Sequence, residues 1–139
     1  MTNTRSALPP KFDISPDDIA RVVARFYARV RGHDTLGPVF AAHVENWPEH
    51  EEKIARFWRN AILNERVYDG SPQRAHMAAD EIRAAHFALW LGLFDETLTQ
   101  EIDADAAAKW SALAHRIGRA LRMGIVHRDQ DPDAPPSLF

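Results

Sequence analysis

Four residues in this 139-residue chain carry groups that apolar surroundings tolerate only if they meet a partner. His50 continues a stripe of His50, Ile54, Phe57, Trp58 and Ala61, at offsets 0, 4, 7, 8 and 11, so its imidazole falls on the inward face of a helix. An imidazole there costs free energy unless it finds a hydrogen bond, a metal or a ligand. His76 sits on a very short helical piece opened by Ser71-Pro72, between two longer helical stretches. Tyr27 and Trp90 place an O–H and an N–H on the apolar faces of two further helices, and each is a donor in search of an acceptor. Taken singly, each has a plain structural use: a core residue bonded to a backbone carbonyl, or for His76 a surface position in Gln73-Arg74-Ala75-His76. Taken together, they suit a flat apolar cofactor wedged between helices. Such a site has one neutral imidazole as axial iron ligand on one side and polar donors at the sixth position on the other. Of the other histidines, His33 and His43 fall in polar connectors, His115 on a helix flank and His127 at the end of the last helix.

Other chemistries are excluded by arithmetic. There is no cysteine, which removes disulfides, thiolate catalysis, Cys zinc sites and Cys-bound iron–sulfur clusters. No histidine has another four residues away, as a zincin helix requires. The residues three before each histidine are Val30, Phe40, Trp47, Gln73, Arg83, Ala112 and Gly124, so no Glu-x-x-His pair of a di-iron bundle exists. Gly-x-Ser-x-Gly and Gly-rich phosphate loops are absent. A formal charge of −3 and a pI near 6.1 leave no basic footprint for nucleic acid. No apolar run approaches the roughly 20 residues of a membrane span, and the opening Met1-Thr-Asn-Thr-Arg-Ser lacks the apolar core of a secretory signal, so the expected location is cytoplasmic.

The elements that must position these groups read as helices, and the fold class is all-α. Ser15-Pro16-Asp17-Asp18 is a helix start, followed by Ile19, Val22, Val23, Phe26, Tyr27 and Val30 on one face and by Gly32 at the end. Leu36-Gly37-Pro38-Val39-Phe40 reads as a turn-rich connector. Asn46-Trp47-Pro48-Glu49 opens the helix of His50. A third long helix, from about Asp80, is expected to bury Phe87, Trp90, Leu91, Phe94 and Leu98. A fourth, over about 103–126, is expected to bury Trp110, Leu113, Ala114, Ile117 and Leu121. Residues 1–13 and the Pro-rich stretch 128–139 read as flexible arms around one domain spanning 14–127.

At this point the chain resembles the truncated haemoglobins, and within them the third group, over about residues 14–126. The resemblance is carried by Phe26-Tyr27-Ala-Arg-Val-Arg31, Leu36-Gly37-Pro38-Val39-Phe40, Trp47-Pro-Glu-His50 with Phe57-Trp58, Tyr68-Asp-Gly-Ser-Pro72-x-x-x-His76, and His86-Phe87-Ala-Leu-Trp90-Leu-Gly-Leu-Phe94. The first two groups carry Gly-Gly pairs at helix junctions; this chain has six glycines and no adjacent pair. The tail after His127 has no counterpart in the family pattern.

The resemblance implies a shortened globin in which a two-over-two helical sandwich holds haem b. It makes His76 the proximal iron ligand, Phe40 a ring stacked against the haem, and Tyr27, His50 and Trp90 the polar distal cluster, lined by Ile54 and Phe57. His50 is also a possible distal iron ligand in a collapsed pocket. Lys53, one turn from His50, is a candidate partner for a haem propionate, with Tyr68 and Arg74 weaker candidates for the same task. The function implied is binding of dioxygen, nitric oxide, carbon monoxide or similar small ligands. Two donors near the ligand favour tight retention or chemistry over simple delivery. Two competing readings stay open: a nitric-oxide dioxygenase or peroxidase-like enzyme fed by an external reductase, and a cofactor-free helical binding or sensor module.

Overall fold

The computed structural model describes residues 8–79 and 82–130. Helix formation follows the caps read in the sequence. Ser15 accepts the Asp18 N–H and starts α1 (Pro16–Arg31), whose buried face is Ile19, Val22, Val23, Phe26, Tyr27 and Val30. Asn46 accepts the Glu49 N–H and starts α3 (Trp47–Leu63). Ser71 accepts the Arg74 N–H and starts the short α4 (Pro72–Ala78). Asp103 accepts the Ala106 N–H and starts α6 (Ala104–Arg128). In each of α1, α3 and α4 a proline occupies the first turn, where its missing N–H costs no helical bond.

Two elements differ from the sequence expectation. The connector after Gly32 is itself a helix, α2 (Leu36–Ala41), whose Leu36 and Gly37 are buried. Its cap comes from outside the usual residue types: His33 Nδ1 accepts the N–H groups of Thr35 and Leu36, each at 3.1 Å. The helix expected from about Asp80 begins only at His86, as α5 (His86–Glu101). Residues 80–81 lie outside the described residues, and Ile82–Ala85 form turns, with His86 Nδ1 accepting the Arg83 N–H at 3.0 Å.

Helices α1 and α3 form one packed pair and α5 and α6 the other; α1 also lies on α5, which joins the pairs. Two helix pairs lie one over the other, as the resemblance implies, and all described elements are helical. The core between the layers is aromatic. Phe94 stacks on Trp90 (5.4 Å between ring centroids) and on Trp58 (5.6 Å), while Trp110 meets Trp58 and Phe94 edge-on, each at 5.5 Å. Such pairs add about 0.5–1.5 kcal/mol each beyond the area they bury.

The end of the expected N-terminal arm is tied down. Phe12 is buried in the core, Lys11 N–H donates to Ile62 carbonyl at 2.8 Å, and Lys11 Nζ bonds the Ala61 carbonyl. Asn64 ends α3 in the left-handed conformation (φ 59°), which asparagine tolerates, and donates from Nδ2 to the Pro9 carbonyl at 2.6 Å. The arm thereby supplies partners for the last carbonyls of α3, which a helix cannot satisfy internally. At the other end α6 runs through Arg128; residues 1–7 and 131–139 lie outside the described residues. No described helix is long and apolar enough to cross a membrane.

Candidate functional site

Tyr27 and His50 are in direct contact, their rings 5.0 Å apart and edge-to-face. The α1–α3 packing puts them there, since both residues lie on the faces those helices bury against each other. Around Tyr27 stand Phe26 (5.0 Å), Phe40 of α2 (5.7 Å) and Trp47 (6.0 Å). Trp90 joins the group through Phe26, which it meets edge-on at 5.7 Å, rather than by touching Tyr27 or His50. Ile54 and Phe57 lie half-buried on α3, packed against the core.

The electrostatics hold these groups neutral. Burial, helped by the Glu51 carboxylate, pushes the Tyr27 phenol far above the ordinary tyrosine range, so its O–H is retained at any physiological pH. Burial, then the nearby Lys53 ammonium, lowers the His50 imidazole below its ordinary value. His50 Nε2 is fully buried and has no hydrogen-bond partner. An orphaned donor or acceptor of this kind costs about 1–3 kcal/mol, a cost that persists unless the atom meets something else.

His76 lies at the last turn of α4. Its Nδ1 is 2.6 Å from the Pro72 carbonyl, so Nδ1 carries the proton and donates, leaving the Nε2 lone pair uncommitted. Burial lowers its pKa, and the Pro72 bond opposes that only in part. Phe87, on the first turn of α5, faces the His76 ring at 5.8 Å. Helix α5 therefore meets both groups of residues, His76 through Phe87 and the Tyr27 cluster through Trp90 and Phe26.

At the rim, Lys53 is exposed and lines an open groove of about 310 Å³ together with His43, Glu49, His50 and Arg56. Tyr68 packs edge-on against Phe57 at 5.3 Å, and its phenol is raised by burial and by Asp69. Arg74 is exposed on α4. A larger groove of about 520 Å³, at Lys11, Leu113 and Arg116, shares no residue with this site.

Two neighbours escaped the sequence reading as functional positions. Trp47 touches both Tyr27 and His50 and carries the Arg31 guanidinium over its ring at 5.1 Å. Glu51 accepts from Arg31 at 3.2 Å and acts on Tyr27 through its charge. The available signal was spacing: Trp47 precedes His50 by three, one helical turn on the same side.

The residues present fit a haem: His76 keeps one ring nitrogen uncommitted by its bond to Pro72, and His50 is buried without a hydrogen-bond partner beside a protonated phenol. Architecture and site together define a globin of the truncated type. The Group 3 truncated hemoglobin ctb of Campylobacter jejuni is 37% identical over 93 residues, covering 63% of this chain and 73% of the relative. The crystal structure of group III truncated hemoglobin from Campylobacter jejuni superposes with a TM-score of 0.78 at 29% identity, covering 83% of this chain and 94% of that one. No protein-family model matches. The chain belongs to the group 3 truncated haemoglobin family, which implies a haem cofactor.

Proposed function

We propose that the protein binds haem b and uses it to hold dioxygen and other diatomic ligands such as nitric oxide and carbon monoxide. When bound, the haem would supply an iron able to take a protein imidazole and a small diatomic ligand. The observation that carries this reading is the pairing of two states: His76 Nδ1 is committed to Pro72 O while His50 Nε2 is buried without a partner.

The remaining roles are chemical consequences for this chain's own groups. His76 offers Nε2 as proximal ligand; its depressed pKa keeps the ring neutral and its bond to Pro72 fixes tautomer and ring plane. Tyr27 donates its O–H to a ligand that carries partial negative charge, because burial denies the phenol ionisation. Trp90 N–H is the second donor. His50 would supply a third polar contact or close the pocket, and its unpartnered Nε2 would be the second imidazole nitrogen offered to the iron. Ile54, Phe57 and Phe40 exclude water from the donors, which strengthens each bond. Lys53, with Tyr68 and Arg74 as lesser contributors, pairs with the carboxylates at the haem edge.

The test is the visible absorption spectrum of the purified protein with haemin added, then reduced under carbon monoxide. A Soret band that shifts on carbon monoxide is expected; a featureless spectrum would leave Tyr27, His50 and Trp90 as core residues and overturn the reading. Nitric-oxide turnover with a reducing partner is the corresponding test of dioxygenase activity.

A further inference from the structure

Helix α4 is short and rests chiefly on α6. It has seven residues, and its His76 also meets Phe87 of α5. Its C-terminus needs support, because the last carbonyls of a helix have no partner within it and the chain leaves α4 in an extended conformation at Ala79. Ala79 N–H donates to the His76 carbonyl at 3.2 Å and Ile82 N–H to the Ala79 carbonyl at 3.0 Å, and the last residue of α6 adds to both. The Arg128 side chain, 14% exposed, donates from Nη1 to the His76 carbonyl at 3.2 Å and to the Ala79 carbonyl at 2.9 Å. From Nη2 it donates to the Ile82 carbonyl at 2.6 Å. Asp129 holds the guanidinium from behind, accepting from Nε at 2.8 Å and from Nη2 at 3.2 Å, and Asp129 is itself paired with Arg83 at 3.5 Å. One fork thus spans three carbonyls across seven residues.

From this geometry we infer that Arg128 is a positioning residue for the proximal imidazole. The inference rests on the reading of His76 as the iron ligand. His76 is fixed at two points: Pro72 O orients its ring, and Arg128 anchors its own backbone carbonyl. The guanidinium is required in its planar form, since it presents five donors in a rigid fork. Lysine keeps the charge but cannot bridge His76, Ala79 and Ile82 together. Arg128 therefore sets where the Nε2 lone pair lies relative to α5 and α6, and so how short and how well aligned the bond from His76 can be.

The test compares wild type, Arg128→Ala, Arg128→Lys and Asp129→Asn, with Ser15→Ala as a variant that removes a helix cap far from α4. In the haem-free protein, hydrogen exchange at the Ala79 and Ile82 amides is read. In the haem-loaded ferrous protein, the iron–histidine stretching band and the rate of haem transfer to an acceptor are read. Arg128→Ala is expected to speed exchange at both amides, shift the band and accelerate haem loss about 10-fold or more, the range of lost outer-shell support. Arg128→Lys should resemble Arg128→Ala, Asp129→Asn should move the same way by less, and Ser15→Ala should move none of the three.

An unshifted band in Arg128→Ala, or a wild-type band in Arg128→Lys, overturns the inference. If Arg128→Ala fails to fold, Asp129→Asn carries the same test, because it leaves the fork in place and removes the carboxylate charge and the acceptor for Nη2 that steady it. His76→Ala separates the two layers. If that variant keeps a wild-type haem spectrum while Arg128→Ala still speeds amide exchange, the proximal reading fails and the positioning role falls with it.

Discussion

Tyr27→Phe removes one oxygen and little else. The ring is 4% exposed and its contacts with Phe26, Phe40, Trp47 and His50 all involve ring atoms that phenylalanine retains. The fold should therefore keep its stability to within about 1 kcal/mol, the usual net value of one hydrogen bond. Ligand retention should change far more. A hydrogen bond from the neutral phenol to a ligand bearing partial negative charge is worth about 1.5–3 kcal/mol. At 1.4 kcal/mol per decade, its loss speeds dissociation by about 10- to 150-fold. The assay is stopped-flow displacement of dioxygen by carbon monoxide, alongside a urea melt of the same variant. Trp90→Phe should act in the same direction, and the double variant should exceed either. An unchanged off-rate in both single variants and in the double would refute the donor argument, because no acceptor would then face either group.

Three other outcomes are expected. His76→Ala should lose stable haem retention, with added imidazole restoring a ligated Soret band; an unchanged spectrum without imidazole contradicts the proximal role. Because burial lowers the pKa of both His50 and His76, the unfolded chain takes up protons first as pH falls. Stability of the haem-free protein should thus be fully present above about pH 6.5 and decline below it, by less than the limiting 1.4 kcal/mol per pH unit per group, since both rings are partly exposed. Urea midpoints across that range check this, and His50→Phe should flatten the slope. Gly70→Ala would bring a Cβ within 2.6 Å of the Tyr68 hydroxyl, and because Gly70 is exposed and the ring end can turn aside, the cost should stay below about 1 kcal/mol; a urea melt showing a larger loss would mean that the Tyr68 ring is locked.

The all-helical class and four of the helix starts were legible because each is written locally, in a cap residue and a following apolar stripe. Helix α2 was not. Its cap is a histidine ring nitrogen, and its sequence, Leu-Gly-Pro-Val-Phe, carries the residues of a turn. The late start of α5 had a similar cause: the segment before it is tied by Arg128 from a distance of some 46 residues along the chain, which no local pattern encodes. The candidate site divides the same way. Tyr27, His50 and His76 stood out because polar groups on apolar stripes, or on an isolated capped turn, are locally odd. Glu51 and Arg128 look like ordinary surface charges in sequence, and their roles come only from tertiary approach. The tie between Lys11 and the end of α3 was hidden for the same reason, so the arm's last residues read as loose while Phe12 lies in the core.

The aromatic core has an optical consequence. Trp90, Trp58 and Trp110 all meet Phe94, and Trp47 joins them through Tyr27 and Phe26. All four tryptophans of the chain therefore belong to one connected body of rings, close enough for excitation of one indole to migrate to the next. Their emission should behave as a single reporter. A pigment entering beside Trp90 would darken the whole set at once, so that intrinsic fluorescence alone counts the filled molecules in a sample.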